Sequence, residues 1–118
     1  RIGDMDHQTL TAFNVGLSYF TTLELLDLQQ NAIENMTITS IKLFFQHLVT
    51  YPKLTTLFLF NNDFEQMDFQ AISALLDALA LFTNMKRLYM PHIAFSKMSD
   101  IQKTQLKNKI NGIKIINH

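Results

Sequence analysis

The chain has 118 residues, enough for one domain with a real core. Lys plus Arg equals Asp plus Glu at 10 each, which excludes the strong basic bias of a nucleic-acid binder, and the absence of cysteine excludes disulfides and thiolate metal sites. No apolar run approaches the ~18 residues of a membrane span, no secretory leader opens the chain, and the first residue is Arg rather than Met. The expectation is a piece of a longer intracellular protein.

A first helix is expected over 6–20, since Leu10, Phe13, Leu17 and Phe20 recur at helix spacing. Asp6 can cap it by accepting an orphan backbone N–H, and Met5 with Leu10 can form a hydrophobic staple across the cap. Residues 23–31, LELLDLQQN, then change period: Leu26 and Leu28 alternate with exposed positions, which predicts a strand over 25–28. The same two halves recur one offset of 31 later. Thr37 caps a helix over 38–51 that Pro52 stops, and LTTLFLFNN (54–62) carries a strand over 56–59. Asp68 caps a third helix over 69–82, and MKRLYMPHI (85–93) carries a strand over 87–90.

The columns align without a gap. Ile2, Ile33 and Phe64 share one, as do Leu10, Ile41 and Ile72, then Phe13, Phe44 and Leu75, and then Leu26, Leu57 and Leu88. The units are therefore 1–31, 32–62 and 63–93, followed by a shortened, capping unit over 94–118. That last unit keeps Phe95 and Met98 in column, offers Ser99 as a cap, and restores a strand over 112–115 within INGIKIINH. It is also basic. Lys97, Lys103, Lys107, Lys109 and Lys114 stand against Asp100, a net +4, whereas Arg1 stands against Asp4, Asp6, Glu24 and Asp27 in the first unit, a net −3. A solvated cap is the favoured reading of this basic character, and a lysine patch for anionic surfaces is the alternative.

LELLDLQQN and LTTLFLFNN resemble the leucine-rich repeat signature L-x-x-L-x-L-x-x-N-x-L, with Ile33 and Phe64 in its last apolar place. The unit length and full helix are similar to the ribonuclease-inhibitor-like subclass. The resemblance implies an α/β fold, a right-handed solenoid with parallel strands on the concave face and helices on the convex face. It also implies that Asn31 and Asn62 bond the loop backbone of their neighbours, a ladder that ends where Ile93 replaces Asn. On that register Asn62→Ala is costly and Asn61→Ala is cheap.

The first unit opens with no strand before its helix. Ile2, Leu10, Phe13, Leu17 and Phe20, with the edge of strand 23–28, are expected to lack a neighbour, and an unpaired edge invites pairing. Missing upstream repeats, dimerisation and an unrelated covering segment each answer this; upstream repeats are favoured, and the isolated chain is expected to self-associate through this end.

A search for chemistry finds little. The histidines at 7, 47, 92 and 118 have no metal-ligand spacing, and Gly3, Gly16 and Gly112 make no phosphate loop. The sequon at Asn35 is read as unused. No catalytic residue, metal or cofactor is expected. Between the inward leucines the strands turn out Leu25, Asp27 and Gln29, then Thr56, Phe58 and Phe60, then Arg87, Tyr89 and Pro91, then Gly112, Lys114 and Ile116. Phe58, Phe60 and Tyr89 form an outward aromatic patch that a core does not require, flanked by Asp27 on one side and Arg87 with Lys114 on the other. Interface centres are rich in aromatics and Arg. The expectation is a protein-recognition module binding a partner protein there, with neither nucleic acid nor membrane as partner. The Phe, Ile, Asn and Lys usage is similar to that of bacterial effector proteins with such repeats, which act in a host cytoplasm. The alternative is a regulator of a small GTPase, or the targeting domain of a larger effector enzyme, with Arg87 the one outward arginine able to assist a neighbouring active site.

Overall fold

The computed structural model describes residues 1–92, 96–109 and 113–116. Each of the first three units begins with a 3-10 turn, at Ile2–Asp4, Ile33–Asn35 and Phe64–Gln66, followed by a helix: α1 (His7–Leu17), α2 (Ile38–Leu48) and α3 (Phe69–Leu79). Strands β1 (Leu25–Asp27), β2 (Thr56–Phe58) and β3 (Arg87–Pro91) close those units, and α4 (Asp100–Lys109) and β4 (Ile113–Ile116) complete the chain. The strands form one parallel sheet in the order β1-β2-β3-β4. Leu25 stands opposite Thr56, and Thr56 opposite Arg87, so the repeat offset is also the sheet register; a shorter step sets Ile113 beside Leu88. Successive helices touch in the same order, which makes the molecule a mixed α/β structure with a helical layer against a parallel sheet.

The caps hold the helix starts where expected. Asp6 accepts from the Thr9 N–H at 2.7 Å, Thr37 from Ser40 at 3.1 Å and Asp68 from Ala71 at 2.8 Å. The bond from Thr9 to its carboxylate holds the Asp6 pKa below the usual carboxylate value. Ser99 and Gln102 form a reciprocal capping box at α4, with bonds of 3.0 and 3.1 Å.

The first three helices end three residues earlier than their periodicity suggests. Beyond Leu17 the N–H groups of Tyr19 and Phe20 bond carbonyls three residues back, and Thr50, Tyr51, Leu81 and Phe82 do the same in their units. Those tightened turns carry the apolar column onward without extending the helix. The 3-10 turns are a second departure, because their short apolar-polar-polar pattern reads as loop.

The core lies between the layers. Leu10, Ile41, Phe44, Leu57, Leu59, Leu88 and Met90 are wholly buried, and Ile33 and Phe64 with them. The expected bare flank is bare only in part. Ile2 and Leu10 are buried, Phe13 and Leu17 are half-buried, and the Phe13 ring lies 6.2 Å from that of Phe44. The second unit covers these residues, while Phe20 and, on the strand edge, Leu25 are exposed as expected, joined by Val15 and Tyr19. Gly3 belongs to the covered part: a Cβ there would collide with the Ala32 carbonyl, while its N–H bonds Asn31 O at 2.7 Å.

Asn62 is the pin between units. Its Nδ2 donates to Leu28 O and Leu59 O, both at 2.9 Å, and its Oδ1 accepts from the N–H groups of Asn31 and Ile33, both at 3.1 Å. One buried side chain thereby satisfies backbone groups on two units. Ile93, where the Asn column would continue, lies outside the described residues. At the next junction, between the third unit and the last, Lys97 bonds backbone carbonyls, its Nζ donating to those of Phe64, Glu65 and Met67 at 3.1, 2.8 and 2.8 Å.

Candidate functional site

The outward face of the sheet is set by strand alternation. Leu57, Leu59, Leu88 and Met90 point into the core, so Phe58 and Tyr89 point away from it. These two are register partners on neighbouring strands, and their rings stack with centroids 4.4 Å apart and planes 10° from parallel. Phe60 meets Phe58 edge-on at 5.6 Å and 82°. Such offset and edge arrangements satisfy the ring quadrupoles. All three rings are half-buried, so they form one continuous aromatic surface rather than separate side chains in water.

The flanks differ in character. Asp27 is exposed beside Phe58 in register, and its carboxylate accepts from Gln29 N–H and Gln29 Nε2, each at 3.0 Å. Gln29 Oε1 in turn accepts from Asn61 Nδ2 at 3.1 Å, giving an ordered polar rim along the aromatic surface. Across the rings Arg87 is exposed at the start of β3. Lys114 lies beside Tyr89 in register, and only its backbone is described. The structure thus brings Asp27, Phe58, Phe60, Arg87 and Tyr89 onto one face, with Lys114 at the next position of the same row.

Two outward assignments are corrected. Thr56 is buried, at 7% exposure, because Leu25 and Arg87 flank it on both neighbouring strands. Pro91 is buried too, with Ile116 beside it in register. Gly112 lies outside the described residues. The usable surface is therefore narrower than the sequence suggests, and it centres on Phe58, Phe60 and Tyr89.

Other surfaces are less organised. A shallow groove of about 250 Å³ between α2 and α3 is lined by Ile38, Lys42, Phe69 and Asp77 among others. A polar recess of about 590 Å³ lies beside the loops that leave the strands, lined in part by Gln30, Ala32, Glu34, Asn61 and Asp63. Gln30, Ala32 and Asn61 all have positive φ, near 55°, the left-handed region that non-glycine residues enter at a cost. Sequence reasoning missed this recess, since nothing in QQNA or NND announces three such residues. His47 is engaged with Tyr51, Nε2 to Oη at 2.9 Å. Among the described residues no group of three or more His, Cys, Asp or Glu is placed to hold a metal ion, and no helix is long and apolar enough to cross a membrane.

The chain matches no family model, and comparison with curated proteins and with solved structures finds no match either.

Proposed function

We propose that the chain is a leucine-rich repeat solenoid of the ribonuclease-inhibitor-like kind, acting as a protein-recognition module whose partner seats on the aromatic row of the sheet. The repeat register, the parallel order of the strands and the Asn62 bonds across units support the architectural part of this reading. The single observation that carries the functional part is the stacked Phe58–Tyr89 pair on the face turned away from the core. An apolar, rigid platform with a carboxylate at one side and a guanidinium at the other suits a desolvated interface centre with oriented polar contacts. Recognition is the reading this surface favours, because its rings and flanking charges offer a partner apolar area and oriented polar contacts.

The test uses the double variant Phe58→Ala with Tyr89→Ala, beside Lys42→Ala and Asp77→Ala in the α2/α3 groove. Truncating central aromatic anchors weakens binding by ~2 kcal/mol or more, so the double variant loses partner capture while both groove variants keep it. Because the two rings cover each other, the double variant also loses ~1 kcal/mol of stability, less than a core truncation costs. Capture retained by the double variant and lost by the groove variants would move the partner to the helical face.

A further inference from the structure

The stacked pair has an orientation as well as a position. Phe58 and Tyr89 sit opposite each other on neighbouring strands, about 4.8 Å apart. Their ring centroids are separated by nearly the same distance, 4.4 Å, with planes 10° from parallel. Such rings lie face to face only by standing on edge over the sheet, with their faces turned along the strand order. Tyr89 therefore covers one face of Phe58, and the other face turns towards β1. Asp27 is the register partner of Phe58 on that side, and its side chain is exposed.

The carboxylate there is fixed before anything binds. Oδ1 accepts from Gln29 N–H and Oδ2 from Gln29 Nε2, each at 3.0 Å, and Gln29 Oε1 is held in turn by Asn61 Nδ2 at 3.1 Å. Each oxygen of a carboxylate has about two lone-pair sites, so one remains on each. Among the described residues Arg1 pairs with Asp4, and no cation pairs with Asp27. A ring face and an uncompensated negative charge thus stand side by side. Both attract a cation, the face through its quadrupole and the carboxylate through charge-assisted hydrogen bonds.

Geometry decides between cations. A methylated ammonium is best enclosed by several ring faces, and here two of the faces cover each other. A guanidinium is planar: it can lie flat on one face while two N–H groups at its edge reach the two oxygens of a carboxylate. We infer that the space over Asp27, against the β1-side face of Phe58, takes an arginine side chain of the partner protein. Arg87, exposed on β3 beyond the rings, repels a second cation and so sets which way round the arginine-bearing segment lies. The site lies on the face of the sheet and draws only on Asp27, Gln29, Phe58 and Asn61. The inference rests on the reading of the aromatic row as a recognition surface and adds the chemistry of its occupant.

Short capped peptides titrated into isotope-labelled protein test it, with the shifts of the Phe58 ring and the Gln29 side-chain amide as the readout. The probes are a glycine-flanked arginine, its citrulline and lysine counterparts, and a glycine-flanked tryptophan. Citrulline keeps the planar shape of arginine without its charge. The arginine peptide should give saturable shifts that weaken as salt rises, with the citrulline peptide binding about tenfold less tightly and lysine falling between them. Asp27→Asn keeps an oxygen for the Gln29 N–H and should bring arginine down to the citrulline level. Phe58→Leu should weaken arginine binding roughly threefold, and Asp77→Asn on the helical layer should change nothing. Equal binding of arginine and citrulline, or arginine binding indifferent to Asp27→Asn, overturns the inference. If the tryptophan peptide then still shifts the Phe60 and Tyr89 rings, the aromatic row remains a recognition surface and only its assigned occupant falls. If no peptide shifts the rings, the inference and the reading beneath it fall together. The same spectra report whether each variant is folded; should Phe58→Leu fail to fold, Asp27→Asn and the citrulline comparison decide alone.

Discussion

Asn31 and Asn62 hold the same place in successive units, yet they do different amounts of structural work. Asn62 is 7% exposed and bridges the backbone of two units, while Asn31 is half-buried and bonds backbone groups of its own unit, the Ile2 N–H and Gln29 O. The helices follow the same division. α2 buries Ile41, Phe44, Phe45 and Leu48, whereas α1 buries Leu10 and Asn14, whose Oδ1 has no hydrogen-bond partner where the next unit places Phe45. Burial in each of these units follows the neighbour that covers it, and stability is expected to follow the same division.

The largest effect should come from the shared pin. Asn62→Ala leaves buried backbone groups without partners on two units, at about 1–3 kcal/mol for each group that water cannot reach. A loss of ~3 kcal/mol or more in a urea titration is expected, and a loss below ~1 kcal/mol would mean that the neighbours' backbone bonds hold the junction unaided. Lys97→Met comes next. It keeps the aliphatic stem but removes a donor from three carbonyls, of which Phe64 O keeps its bond from the Met67 N–H, and since these groups are partly accessible to water the expected loss is ~1–2 kcal/mol. Thermal unfolding unchanged by this substitution would show that the ammonium adds nothing at that junction.

Asn61→Ala sharpens the same contrast at smaller amplitude. Sequence reasoning makes this position cheap, because its side chain faces solvent. The side chain does face solvent, but two features add to the cost: Asn61 has φ 59°, a region Asn tolerates better than Ala, and it donates to Gln29 on the preceding unit. A loss of ~1 kcal/mol is expected, with Asn61→Gly recovering most of it since glycine carries no penalty there. If the glycine variant is no better than the alanine variant, the amide bond rather than the backbone sets the cost.

Much of this was legible in advance. The apolar columns predicted the helices, the strands and which positions stand opposite one another, because each buried position repeats wherever a unit stacks on the next, and the resemblance to leucine-rich repeats implied that the strands run parallel. Phe58 and Tyr89 were legible as outward neighbours for the same reason. What the sequence hid depends on lateral cover and backbone conformation. Thr56 looks outward by alternation but is buried between two neighbours, and Gln30 and Ala32 give no sign of positive φ. Lys97 reads as one more lysine of a basic cap, although its ammonium reaches back across 30–33 residues to bond the previous unit. Pattern reports which face a residue prefers; it does not report which neighbour reaches it.

Residue-resolved amide hydrogen exchange on dilute, monomeric protein would examine the difference between a completed and an open junction most directly. The Ile33 N–H, held by Asn62 inside a finished junction, should exchange only through near-global opening. The Ile2 N–H, held by Asn31 at 3.3 Å, and the Leu25 N–H on the open edge should exchange far faster, through local opening. Equal protection at Ile2 and Ile33 would contradict the account, because the bonds of Asn31 would then hold the first unit as firmly as those of Asn62 hold the second.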